Sequence, residues 1–350
     1  MAARKKAKPV RPLRVLTLVH PDLIPPDSVE DPTTLPAAPW KTEYDVVKTL
    51  RALGHEVLVL GVGDELEGIR KALVELKPHL AFNLLEGFEE DVTFDHNVIG
   101  YLELMHCKYT GCNSKGLLLG RDKALAKKLL SYHRISVPAF AIVPRGRRFR
   151  RPRRLAFPLI VKSLTMDASI GISQASVVDG DDKLAERVRF IHESVRTDAL
   201  VEQFIDGREL YVGLIGNHQS RALPIWELLF TKMPEESRRI ATERLKWSLT
   251  YQKKHGIVSE EAKDLGKEKA EEIVRVCKRA YRTLMLSGYA RMDLRLSADG
   301  RPYLIEANPN PQLSRDEDFA QAAQRFGLDY QTLVQRVVDL GMRWEPVRWG

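Results

Sequence analysis

The sequence predicts an α/β protein in which a parallel α/β layer domain precedes two smaller α+β domains. Three observations carry this. Short apolar runs alternate with amphipathic segments over the first hundred or so residues, the pattern of strands joined by crossover helices. The pattern changes near residue 116, where a helix and isolated apolar strands take over. Finally, Tyr289 to Pro309 reads as a hairpin with acids on one face. The expected divisions are a basic tail at 1–12, a first domain at 13–115, a second at 116–201 and a third at 202–346.

In the first domain the strands are Val15–Val19, His55–Gly61 and Leu80–Leu84, with helical segments at 43–53 and 64–77. A Pro-rich stretch from Pro21 to Pro39 interrupts the first crossover and is expected to loop over the strand ends, where such folds bind ligands. Asp95–Cys107 reads as a helix and Lys108–Gly111 as a closing strand. The second domain contributes a helix at Asp122–His133, strands ending at Val143 and Lys162, and the arginine-rich loop between them. The third contributes strands at Leu200–Phe204 and Glu209–Ile215, a polar insertion between Leu229 and Val258, and a helix at Glu268–Leu286. In that helix Ile273, Val276, Cys277, Ala280 and Leu284 keep a helical period, which marks a buried stripe.

Composition narrows the function. The chain has 350 residues, 44% of them hydrophobic, enough for two or three packed cores. No apolar run is long enough to span a bilayer, and the basic start lacks the apolar stretch of a secretory signal, so cytoplasmic residence is the expectation. Cys107, Cys112 and Cys277 are too few for a disulfide framework and lack the second ligand pair of a structural zinc site. The net charge of +8 is concentrated in the tail and in Arg145–Arg154. Such a run could hold RNA, an anionic lipid surface or a polyanionic substrate. A solvated loop is the simpler reading, because no aromatic platform is interleaved with the charge.

The hairpin carries the chemistry. Ala290, Met292, Leu294 and Leu296 alternate with Arg291, Asp293 and Arg295, giving one apolar and one polar face. With Asp299-Gly300 as a tight reversal, position 293 faces 306 and 291 faces 308. Asp293 and Glu306 then sit opposite each other and repel unless a cation intervenes. A hard divalent ion such as Mg²⁺, or Mn²⁺, suits two carboxylates and the Asn308 carbonyl. The alternative is a solvated polar edge.

Lys162 ends an apolar strand and precedes a small-residue loop, Ser163 to Ser173, able to cover phosphates. Read with Glu202-Gln203-Phe204, Gly207, Glu209 and the acidic hairpin, the order of motifs resembles the ATP-grasp superfamily, and within it the D-alanine–D-alanine ligases. The resemblance runs over roughly residues 90–340. It implies an ATP-grasp fold whose N-terminal domain is Rossmann-like, with two further domains enclosing ATP. It further implies that Lys123 and Lys162 hold ATP phosphates and that the backbone of Glu202, Gln203 and Phe204 reads the adenine edge. Glu209 would bind the ribose, and Lys246 would be a further nucleotide contact. Asp293, Glu306 and Asn308 fall on the magnesium ligands and Arg291 on the arginine that stabilises a tetrahedral oxyanion, with Ser169 and Gly171 in the closing loop. The implied activity joins a small-molecule carboxylate to an amine through an acyl phosphate, in an enzyme that is often a homodimer.

The pattern departs from the family at the substrate positions. No early acid matches the residue that holds the first substrate's amine, Asp22, Asp27, Glu30 and Asp31 being unconvincing. The stretch after the last metal ligand becomes Pro309-Asn-Pro-Gln-Leu-Ser-Arg-Asp-Glu317-Asp318, and acids there would repel a carboxylate. The expectation is therefore an ATP-dependent carboxylate–amine ligase whose substrates differ from two D-alanines. The alternatives are a genuine D-alanine–D-alanine ligase and a non-catalytic ATP-binding protein that docks through its arginine run.

Overall fold

The structure, a computed structural model, describes residues 11–346 except 148, 167–169 and 235–236, and the side chains at 32, 246, 247 and 249 are also outside the description. The chain divides into two compact units, Met1–Gly111 with Gln312–Gly350, and Cys112–Pro311.

The first unit is built on a parallel sheet in the order β2-β1-β3, formed by β1 (Arg14–Val19), β2 (Glu56–Gly61) and β3 (Leu80–Asn83). The crossovers are α1 (Lys41–Ala52) and α2 (Glu67–Glu75), and α3 (Asp95–Leu104) follows β3. Val15, Leu16, Leu18, Val46, Leu50 and Phe82 are buried, so strand and helix share one core. The Pro-rich stretch forms 3-10 turns at Pro21–Leu23 and Pro32–Ala37. Lys108–Gly111 does not extend into a strand. Only Tyr109 bridges to Ala81, because Gly111 takes a φ of 89° and turns the chain away.

The second unit holds two antiparallel sheets. After α4 (Ser114–Arg121) and α5 (Lys123–Tyr132), the first sheet takes the order β4-β7-β5-β6. Its strands are β4 (Phe140–Val143), β5 (Leu159–Ser163), β6 (Val177–Val178) and β7 (Ala199–Gln203). One face packs on α6 (Asp181–Phe190) through Val143, Val161, Leu184, Val188 and Val201. The second sheet has the order β10-β9-β8-β11-β12. It comprises β8 (Gly207–Ile215), β9 (Arg221–Phe230), β10 (Ile257–Glu261), β11 (Tyr289–Ser297) and β12 (Pro302–Pro309). Between β9 and β10 lie α7 (Glu243–Trp247) and α8 (Leu249–His255), and α9 (Lys267–Thr283) buries Ile273, Cys277 and Ala280 as its period requires.

The chain returns to the first unit as α10 (Asp318–Arg325) and α11 (Tyr330–Arg343). Residues 312–346, grouped by the sequence with the third domain, thus lie in the N-terminal unit, where α11 packs on α1 and β3. Residues 1–10 of the basic tail fall outside the described residues.

Candidate active site

The second sheet sets up the site by register. Across β8, β11 and β12 the facing rows are Gly213–Arg291–Asn308, Tyr211–Asp293–Glu306 and Glu209–Arg295 with Tyr303. Alternation puts all three rows on one face. The expected facing pairs, 293 with 306 and 291 with 308, are present, but the turn differs. Ser297 donates to and receives from the residues around a three-residue loop, 298–300, and Gly300 closes it at φ 79°. The pairing slips between Asp293 and Leu294, leaving Ile305 as the extra residue of a β-bulge. The bulge compensates for the longer loop and returns Glu306 to its place opposite Asp293.

Every acid on this face is matched by a cation. Arg291 grips Asp293 with two bonds, Nε to Oδ1 at 2.8 Å and Nη2 to Oδ2 at 3.0 Å, while lying over the Tyr211 ring at 4.7 Å. Glu306 Oε1 is 3.2 Å from the Lys123 ammonium. Glu209 accepts from Tyr211 Oη at 2.8 Å and from Arg295 at 2.5 Å. Asn308 Nδ2 is buried without a partner, which leaves the amide able to turn its carbonyl oxygen toward a cation. Two carboxylates and one amide oxygen on one face are the hard oxygen donors that Mg²⁺ takes together with substrate oxygens. Among the described residues no group of three His, Cys, Asp or Glu is placed to hold a metal ion, so the donor set here is two carboxylates completed by an amide.

The first sheet supplies a second set of charges. Asp122 caps α5 by accepting from the Ala124 and Leu125 amides, so Lys123 begins a helix whose next turn carries Lys127 on the same side. Lys127 and Lys162 both pair with Glu202, at 3.0 Å each. The approach of Lys127 to Oε1 is ionic in character, because that oxygen lacks a well-directed hydrogen bond. Glu202 is 1% exposed and Lys127 2%. Burial pushes the Glu202 carboxyl up, but the two ammoniums together pull it below the usual value. Burial likewise pulls Lys127 below an ordinary lysine, against the attraction of Glu202.

Lys123, Lys162, Glu202, Gln203, Phe204, Glu209, Asp293 and Glu306 all line one cavity of about 110 Å³, together with Tyr211 and Arg295. Arg291 and Asn308 sit on the adjoining row. Ligand pockets for drug-sized molecules run from roughly 300 to 1,000 Å³. One side of the cavity is lined by Met166, Ile170 and Ile172. That side is fastened at two points. Lys123 donates to the Met166 carbonyl at 3.0 Å, and the Gly171 amide donates to Glu243 at 2.8 Å while its carbonyl receives Arg187. Gly171 has a φ of +72°, and a side chain there would also meet Val195, so glycine is required. Ser169 lies outside the described residues. Lys246 falls on α7, and its side chain is likewise outside the description.

The sequence reading missed four residues. Lys127 was signalled by its spacing of four from Lys123, and Arg295 and Tyr211 by their period-two place on the acid face. The fourth, Glu43, lies in the first unit. It is in the first turn of α1, 5% exposed, with Oε2 lacking a hydrogen bond, and burial, aided by Glu86, pushes its carboxyl up to about 7. The acids at 316–318 also have local roles. Asp316 pairs with Lys41 at 3.0 Å, and Glu317 and Asp318 begin α10, where negative charge favours the helix dipole.

Residues 129–339, more than half of the chain, match the family model described as D-ala D-ala ligase C-terminus. A D-alanine–D-alanine ligase of Bordetella petrii is 31% identical over 70% of this chain and 71% of its own. The chain belongs to the D-alanine–D-alanine ligase family. It is an ATP-dependent ligase of the ATP-grasp fold. The uncharacterized protein y4sG of Sinorhizobium fredii is 30% identical to this ligase over 89% of the chain and 91% of its own. In fold, the ligase matches the D-alanine–D-alanine ligase of Bacillus anthracis complexed with ATP, at 20% identity and a TM-score of 0.72, covering 95% and 98% of the two chains. No helix among the described residues is long and apolar enough to cross a membrane.

Proposed function

We propose that this ligase joins a carboxylate to an amine other than the pair of D-alanines, through an acyl phosphate formed from ATP. The observation that carries the chemistry is the single face on which Asp293, Glu306 and Asn308 stand beside Arg291 and Lys123, next to a cavity lined by Lys162, Glu202 and Glu209. Magnesium held by Asp293, Glu306 and the Asn308 oxygen would neutralise charge on the phosphates when bound. Lys123 and Lys162 bring ammoniums to the phosphate chain, Phe204 and the backbone of Glu202 and Gln203 border the adenine, and Glu209 accepts from the ribose. When Arg291 releases Asp293, its guanidinium becomes the fixed donor for the oxyanion formed as the amine attacks. Closure of the loop bearing Ser169 and Gly171 excludes water from the acyl phosphate.

The substrate difference rests on the sequence, in which Glu317 and Asp318 stand where the family has a small-residue stretch, and acids there would disfavour a carboxylate and suit a cationic or amidated acceptor. The test is phosphate release from ATP and Mg²⁺, screened against D- and L-amino acids, dipeptides, polyamines and small carboxylic acids. Stimulation by one carboxylate with one cationic or amidated amine supports the proposal. D-alanine alone as the sole stimulant would overturn the substrate difference, and ATP binding with silence in every pool would favour the binding-protein reading. An anionic partner at Arg145–Arg154 belongs to the same proposal. Arg145, Arg147, Arg150, Arg151 and Arg189 border a groove of about 1,080 Å³, and salt-independent binding of polyanions would count against a role for it.

A further inference from the structure

Glu202 is neutralised by one lysine, yet two are buried against it. Lys162 approaches Oε2 and Lys127 approaches Oε1, each at 3.0 Å, and all three side chains are at least nine-tenths buried. Two ammoniums on one carboxylate leave a net charge of +1, which is costly in a site from which water is excluded. The excess is not spread evenly in space. Lys162 lines the cavity, whereas Lys127 does not. Lys127 is instead directed to the hairpin, where its ammonium donates to the Ile305 carbonyl at 2.8 Å. Ile305 is the extra residue of the bulge, so its carbonyl is the one displaced from the β11–β12 ladder next to Glu306. Lys127 therefore satisfies a backbone acceptor that the bulge leaves over and an acid that would otherwise claim all of Lys162.

We infer that Lys127 is a positioning residue that balances the charge of Glu202, so that the positive charge of Lys162 stays available to a phosphate-bearing ligand in the cavity. This rests on the reading of Lys162 as a phosphate contact. Without Lys127, Lys162 and Glu202 form a closed neutral pair, and the phosphate chain loses its counter-charge although Lys162 is still present. Removing Glu202 as well restores it. A residue that only filled space or held the fold would show neither behaviour.

The test compares the binding of ATP, which carries phosphates, with that of adenosine, which does not, by titration calorimetry on the full chain. For Lys127→Met the expected result is an ATP affinity weakened by about 10-fold or more, from a full charge lost at a few ångströms in a partly desolvated site, with adenosine unchanged. The double variant Lys127→Met, Glu202→Gln is expected to regain most of that loss. Equal weakening of ATP and adenosine, an unchanged ATP affinity, or no recovery in the double variant would each overturn the inference. Lys162→Met separates the two readings. If it leaves ATP affinity intact, the phosphate role of Lys162 fails; if it selectively loses ATP while Lys127→Met does not, only the role of Lys127 fails. Should Lys127→Met not fold, Glu202→Gln alone decides, since the inference expects its ATP affinity relative to adenosine to be equal or stronger and a selective loss would overturn it.

Discussion

Two groups of charges meet around one cavity, and they are built differently. Lys127, Glu202 and Lys162 lie on buried elements with their partners fixed, and Glu202 is 1% exposed. Arg291 and Asp293 pair on the hairpin face and Lys123 reaches Glu306 there from α5; the acidic side chains are 16% and 22% exposed, although Lys123 itself is 5% exposed. Breaking a fully buried pair leaves a charge that water cannot reach, whereas a pair near solvent can exchange partners at small cost. The buried group is thus suited to hold a geometry and the face to change one. On the face, Arg291 and Lys123 occupy the carboxylates as a metal ion would, and they are also the side chains the proposed chemistry needs released.

The largest expected effect lies on the exchangeable face. Asp293→Asn or Glu306→Gln should abolish ADP formation, by about 1,000-fold or more given the charge lost where phosphate charge develops, while the melting temperature stays near that of the parent. Unchanged turnover in either variant would remove the metal assignment, and loss of folding would show that the face is as rigid as the buried group. For the buried group the readout is stability. Glu202→Ala leaves two lysines facing each other and should cost about 3–5 kcal/mol in urea unfolding, an amount a change at the face would not reach. A cost under about 1 kcal/mol would erase the distinction between the two groups.

The smallest effect sharpens the comparison with a buried acid that has no cationic partner among the described residues. Glu43 in the first unit keeps its proton to about pH 7, whereas in the unfolded chain it releases it near 4.5. The folded state binds more protons across that window, so stability falls as pH rises from 4.5 to 7. Glu43→Gln should flatten this dependence and match the parent at pH 4. Above pH 7 it should exceed the parent by up to about 3 kcal/mol. Identical pH profiles for the two proteins would show that the Glu43 carboxyl is ordinarily solvated.

The hairpin was legible because two local signals agreed: period-two alternation fixed the face, and Asp299-Gly300 fixed the reversal. The bulge was not, since one extra residue leaves no mark in a pattern whose facing pairs it preserves. The sequence reading assigned no strand between Ile215 and Leu229, where β9 lies; Pro224 interrupts the run Arg221–Phe230, and a proline weakens the signal of a central strand. The structure nonetheless seats it between β8 and β10, with register slipping nearby at Val212 and Leu214. Lys127 escaped notice for a different reason. A lone lysine on a helix looks like a surface charge, and only the acid brought over it by β7, some seventy-five residues later, reveals that it is interior.

The bulge at Ile305 also separates the tip of the hairpin from its base. At the base of the hairpin, the acid rows are paired with β8 on one side and held, through the Ile305 carbonyl, to Lys127 on the other. Toward the tip, the ladder with β8 runs on to Ser297 opposite Gly207, and the Gly300 carbonyl accepts from Lys269 of α9 at 2.6 Å. The hairpin is thus tied at two places, its loop to α9 through Lys269 and its bulge to α5 through Lys127, so a fluorophore grafted at Ala298 would report the movement of the hairpin and these two helices as one body.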